Sequence, residues 1–151
     1  MKCKLLIVSC GLLLSITNCN NQDSASSKPE NDIDAARNFI RSALDGKFDQ
    51  ARKLLLPDSS NNNYMDVAER NYQKSDPNVK NGYRSASINI HQVSPVNDST
   101  TIVIFSNSFI NDHDTLKIRK VSGQWMVDLK YLYEHDMDSI QIITSSKDTI
   151  K

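Results

Sequence analysis

The chain lacks cysteine over most of its length. Of its 151 residues only three are cysteines, Cys3, Cys10 and Cys19, and no thiol follows Cys19. A domain built from the later residues therefore cannot form a disulfide, and its stability must come from its hydrophobic core.

Long apolar runs are also lacking. The uncharged run Leu5 to Ile16 has 12 residues, and at about 1.5 Å per residue it spans roughly 18 Å, well short of a hydrocarbon core of about 30 Å. Because Lys2 and Lys4 precede this run, residues 1–18 are predicted to be a secretory signal peptide. A buried N-terminal helix of a cytosolic domain is the less favoured interpretation.

Several signatures of chemistry are missing as well. No basic stretch alternates with aromatic residues, and 18 basic residues balance 18 acidic ones, so nucleic acid is not a predicted partner. No Gly-rich phosphate loop, nucleophile elbow or Cys–His pair is present, and no cofactor is predicted. The group Glu134 to Asp138 (EHDMD) lacks the Gly and distal Glu of a calcium loop. We therefore predict a solvated acidic turn there, and no metal site.

The segment Ile16-Thr17-Asn18-Cys19 resembles the lipobox of bacterial lipoproteins, although Asn18 stands where a small residue is usual. The alternative at Cys10 would leave an apolar region of only about five residues, below the usual 7 to 15. The resemblance implies lipidation at Cys19 with palmitate-type acyl chains, and two chains suffice for stable anchoring. We expect a lipid-anchored membrane protein of the cell envelope, on the periplasmic face or the cell surface.

The residues after Cys19 divide into three parts. Residues 19–30 contain no large apolar side chain and are predicted to be a flexible tether. Residues 31–135 are long enough for one domain with a hydrophobic core. In the C-terminal extension, residues 136–151, Ser139 to Thr144 could add an edge strand before a frayed end.

The first half of the domain has apolar residues at helical spacing. Helices are predicted over Asp32–Asp45, Asp49–Leu56 and Asn63–Lys74, with Gly82 turning the chain into strands. The apolar period then changes to two, and strands are predicted over Ser85–Val93, Thr100–Phe109, Thr115–Val121 and the segment around Trp125. This order predicts an α+β domain with its helices on one face of an antiparallel sheet.

Two segments, AARNFIRSALDGKFDQARKLL and LKIRKVSGQWMVD, resemble a branch of the nuclear-transport-factor-2-like superfamily whose function is unknown. The resemblance covers roughly Asp32 to Leu132. It implies a cone-shaped fold in which helices pack on a curved antiparallel sheet. The same fold is found in ketosteroid isomerase, where an aspartate base works with a tyrosine in an apolar pocket.

Two classes of function are compatible with this pattern. The favoured one is a non-enzymatic envelope module that binds a small apolar ligand or an envelope protein. The alternative is an isomerase- or dehydratase-like enzyme with Asp128 as base and Tyr64 or Tyr72 as partner. The tyrosines are more simply explained as core rims with hydroxyls at the surface.

The triplet Asp-[Ser/Thr]-apolar-or-Thr recurs in the chain, and it looks like the O-glycosylation acceptor motif of Bacteroidetes secreted proteins. Its hydroxyl residues are Ser24, Ser99, Thr115, Ser139 and Thr149. The competing explanation is that Asp-Ser/Thr opens turns before strands.

Overall fold

A computed structural model describes residues 28–133, which form helices followed by an antiparallel sheet. The helices are α1 (Asp32–Leu44), α2 (Phe48–Arg52), α3 (Ser59–Lys74) and α4 (Pro77–Ser85). The strands are β1 (Ile88–Asn97), β2 (Thr100–Asn107), β3 (Asp114–Val121) and β4 (Gln124–Asp128), and residues 130–133 add a helical turn. The predicted signal peptide, most of the tether and the C-terminal extension lie outside these residues.

The predicted α+β class is confirmed. The strands pair in the order β1-β2-β3-β4, each antiparallel to the next, so the sheet is an open meander and does not close on itself. Helix α1 contacts all four strands. The core between them is built from fully buried side chains that include Ala36, Val103, Leu116, Ile118 and Val127.

Helix α1 is capped and charged as its sequence requires. The Asn31 side chain accepts a hydrogen bond from the Asp34 backbone N–H, and two acidic residues lie in the first turn, where the helix dipole favours them. Asp32 also reaches the sheet, because the buried Thr101 hydroxyl donates to its carboxylate over 2.5 Å. This contact fixes the start of α1 against β2.

Helix α3 begins at Ser59, four residues before its predicted start at Asn63. Asp58 is the N-cap, and its carboxylate accepts from the backbone N–H of Asn61 over 2.9 Å. An aspartate directly after Pro57 is a helix-start signal. The polar run SSNN that follows it has no apolar periodicity, which is why the prediction began too late.

The prediction that Gly82 turns the chain into the strands is wrong, because Gly82 lies inside α4. The chain leaves this helix at Ala86 instead. A side chain at position 82 would meet Phe109, whose Cε2 atom lies 2.4 Å from the place of a Cβ. Glycine at this position allows the close approach of an aromatic ring and does not serve a turn.

Arg41 connects α1 to the end of α4. Its guanidinium donates to the backbone carbonyls of Ala86 (2.7 Å) and Tyr83 (3.1 Å), and it pairs with Asp45 at 2.8 Å. A cation is favourable at the C-terminal end of a helix, where carbonyls lack intrahelical partners. The contact holds Tyr83 at a fixed distance from α1.

Strand β1 starts at Ile88, three residues after its predicted start, and continues to Asn97. It carries Pro95, which an edge strand tolerates, and its register with β2 shifts between Ile90 and Gln92. His91 lies at this bulge and is exposed.

At the opposite edge, β4 is covered by the segment after α2. The Val127 N–H donates to the Leu54 carbonyl (2.7 Å), and the Leu56 N–H donates to the Val127 carbonyl (2.9 Å). This short parallel bridge satisfies the backbone of Val127 on its outer side. It also explains why the predicted second helix, Asp49–Leu56, ends at Arg52.

A buried amide links α3 to the end of the sheet. Asn61 is 0% exposed; its Oδ1 accepts from the Leu129 backbone N–H (2.7 Å) and its Nδ2 donates to Asp58 (2.8 Å). Lys130 donates to the same Asp58 oxygen at 2.8 Å. These bonds fix the turn that leads from β4 into residues 130–133.

Candidate functional site

The described residues enclose a cavity of about 350 Å³ between α1, α3 and the sheet. This volume lies in the usual range for small-molecule sites. Its interior is mainly apolar and is formed by Phe39, Ile40, Met65, Phe105, Leu116 and Leu129. The same side chains belong to the core, so the cavity is a gap in the packing that opens at one end of the domain.

Polar groups are also part of the lining. They come from α4, the end of β2, the β2–β3 connection, the start of β3 and the helical turn after β4: Tyr83, Asn107, Asp112, Asp114 and Tyr133. Residues 111–114 (NDHD) have the composition of a turn between two strands. The structure brings two of their carboxylates to the cavity together with two tyrosines that are distant in sequence.

The β2–β3 connection is held in place by Asn107. Its Oδ1 accepts from the backbone N–H groups of Phe109 (3.1 Å) and Ile110 (3.0 Å), and Asn111 takes a positive φ of 63°. Asparagine tolerates this left-handed conformation better than most residues. The connection thereby presents Ile110 and Asp112 toward the cavity while the Phe109 ring packs on α4.

Asp114 influences both tyrosines electrostatically. Burial raises the pKa of Tyr133, and the negative charge of Asp114 and repulsion from the ionised form of Tyr64 raise it further. Burial and Asp114 likewise raise the pKa of Tyr83. Both phenols are therefore neutral and able to donate a hydrogen bond at neutral pH.

Aromatic side chains support the cavity wall. The Tyr64 and Tyr133 rings stack with centroids 4.5 Å apart and planes 12° apart. Tyr83 meets Phe109 edge to face at 5.2 Å. Such pairs contribute beyond their buried area, and they fix the two lining tyrosines from opposite sides.

A second cavity of about 230 Å³ shares Ala43, Leu44, Ala68 and Tyr83 with the first. Tyr72 lines it and packs edge to face on Phe48, with ring centroids 5.4 Å apart. The Tyr72 hydroxyl is buried and has no hydrogen-bond partner within the described part of the chain.

Asp128, the predicted base of the enzymatic alternative, is buried at the end of β4 with 4% exposure. Its carboxylate faces cations: Lys130 Nζ lies at 3.7 Å and Arg119 at 4.0 Å, and it also accepts from the Lys130 backbone N–H. Asp128 lines neither of the two cavities described above. Tyr72 lines the smaller cavity, and Tyr64 stacks on Tyr133.

Two histidines that are far apart in the sequence lie together in the fold. The rings of His91 and His113 are in contact with centroids 4.1 Å apart, and His91 Nε2 lies 2.8 Å from the hydroxyl of the buried Ser106. Within residues 28–133 no group of three or more His, Cys, Asp or Glu side chains could hold a metal ion. The Glu134 to Asp138 group lies outside those residues.

The proposed glycosylation positions are divided between described and undescribed segments. Ser99 is exposed in the β1–β2 turn, where its hydroxyl donates to Asn97 Oδ1 (3.0 Å), as turn chemistry alone would require. Thr115 is half-buried in β3. Ser24, Ser139 and Thr149 lie outside the described residues, as does Cys19.

No family model matches the chain, and no curated protein or solved structure matches it either. None of the helices within residues 28–133 combines the length and the apolar character needed to cross a membrane.

Proposed function

We propose that the protein is a lipid-anchored envelope protein whose domain binds a small, largely apolar ligand. The observation that carries the binding part is the cavity of about 350 Å³ between α1, α3 and the sheet. A compact core normally has few voids larger than a water molecule. A gap of this size, lined by apolar side chains and a few polar groups, is typical of a ligand site.

The anchoring part of the proposal is supported by the sequence alone. The run Leu5 to Ile16 and the following Cys19 supply a signal peptide and an acylation site. The domain would be of the nuclear-transport-factor-2-like, cone-shaped kind, with which the helix-then-sheet order is compatible. No catalytic residue is assigned, because the cavity lining does not include Asp128.

One experiment tests both parts: native and denaturing mass spectrometry of the protein purified from the envelope of its host. A covalent acyl modification at Cys19 persists in both measurements, whereas a bound ligand is retained only in the native one. The expected result is a denatured mass that begins at Cys19 and carries acyl chains, with a further mass in the native spectrum.

The Cys19→Ser variant is the matched control, and it should lose the acyl mass while keeping the ligand. A chain that retains residues 1–18 and carries no acyl mass would contradict the anchor. If the native mass of the untreated protein equals its denatured mass, no ligand is bound. This result would contradict the binding function.

A further inference from the structure

We propose that the cavity selects a ligand with an apolar body and a protonated amine, and that Asp112 and Asp114 receive the cationic group. This inference rests on the proposed binding function and specifies the chemical class of the ligand.

The charged groups of the cavity are of one sign. Asp112 and Asp114 both belong to the lining, and no Lys, Arg or His side chain of the described residues does. The carboxylate of an anionic ligand would meet like charges here. An alcohol of the same length would gain only the hydrogen bonds. A cation gains the attraction of both aspartates, and this attraction is stronger at the half-buried Asp114 than at the exposed Asp112.

The aromatic groups favour the same ligand. Tyr83 and Tyr133 line the cavity, and each lies close enough to Asp114 for its charge to raise the phenol's pKa. The phenols therefore remain neutral, and their ring faces are attractive to an ammonium group. Tyrosine and aspartate together form a common environment for an organic cation.

The interior accommodates the other half of the ligand. Ile40, Met65 and Leu116 lie on three different elements and contribute apolar surface to the same space. Burying an alkyl chain against such a lining contributes about 0.8 kcal/mol per CH₂ group, which corresponds to roughly fourfold in affinity for each. Apolar burial supplies most of the affinity, and the aspartates supply the choice of head group.

The test compares three probes that differ only in the head group: n-octylamine, 1-octanol and octanoate. Each is titrated into the full chain at pH 7 and followed by calorimetry. The expected order of affinity is octylamine, then octanol, then octanoate, with octylamine at least about tenfold tighter than octanol. The Asp112→Asn/Asp114→Asn double variant should bind octylamine and octanol with similar affinity.

Two controls separate charge from folding. Asp98→Asn makes the same chemical change in the β1–β2 turn, at the other end of the sheet, and should leave the preference for octylamine intact. If the double variant loses its native circular dichroism spectrum, the single variant Asp112→Asn is measured instead. Asp112 is exposed on a connection, so its replacement should leave the fold intact. This single variant should lose part of the preference.

The possible failures are distinguishable. The inference is overturned, and the binding function kept, if octanol binds as tightly as octylamine and a cavity-filling Ala68→Phe substitution weakens both. It is also overturned if octanoate binds best, or if both aspartate variants keep the full preference. If none of the three probes binds to the correctly folded full chain, the cation inference and the proposed binding function fail together.

Discussion

The buried amide of Asn61 should be among the most sensitive positions for stability. Replacing it by alanine removes the acceptor for the Leu129 N–H and the donor to Asp58. A buried donor left without a partner costs about 1–3 kcal/mol, and the second lost bond about 0.5–1.5 kcal/mol. Because Asn61 is 0% and Leu129 2% exposed, water cannot reach the Leu129 N–H without a rearrangement. The expected loss for Asn61→Ala is therefore about 2–4 kcal/mol.

Urea unfolding of the full chain, followed by Trp125 fluorescence, measures this loss. Asn62→Ala is the matched control: the same substitution one residue later in α3, at an exposed position, where the change should stay within about 0.5 kcal/mol. The expected result is a lower midpoint for Asn61→Ala at an unchanged slope. Equal midpoints for the two variants would refute the role given to the buried amide.

Two further predictions concern α4 and the α3 cap. Gly82→Ala should give less than the gain of about 1 kcal/mol that the better helix propensity of alanine would supply, because its Cβ forces the exposed Phe109 ring to shift. Thermal unfolding checks this, and Gly82→Ala in a Phe109→Ala background should show the full gain. Hydrogen bonds from the Asn61 backbone and from Lys130 lower the pKa of Asp58 from 3.8 to about 2. Its contribution is therefore complete above pH 4 and is lost as the pH falls toward 2. Since the side chain is 37% exposed, we expect only about 1 kcal/mol. Unfolding of Asp58→Asn and wild type should differ by this amount at pH 5 and converge near pH 2; a constant difference would contradict the assignment.

The order of helices and strands follows from local patterns, and these were sufficient to predict the fold class. Apolar spacing identifies α1, and Ser122-Gly123, a dipeptide typical of tight turns, separates β3 from β4. Helix α4 could have been found as well: Asp76 caps it and Pro77 occupies its first turn, a common pair at a helix start. Its interior carries few apolar residues, so periodicity gave no sign of it.

The cavity could not be predicted in the same way. The segment that contains Asp112 and Asp114 has the composition of a turn. Nothing near it in the sequence indicates that Tyr83 and Tyr133 line the same cavity. That proximity depends on contacts between distant parts of the chain, such as the packing of Phe109 on α4. Hydrophobic patterns indicate which residues are buried, whereas a gap in the packing depends on how their shapes fit.

The covered edge of β4 affects how neighbouring copies of the protein can pair with one another. An exposed strand edge is a template for pairing with another chain. This domain also has no disulfide to resist partial unfolding. The bridge from Leu55 to Val127 protects one edge, and the bulge at His91 together with Pro95 interrupts the other. Protein molecules held side by side at a membrane, as proposed above, would meet at high local concentration. Within the described residues, both edges of the sheet are thus interrupted at the points where a neighbouring copy would have to pair.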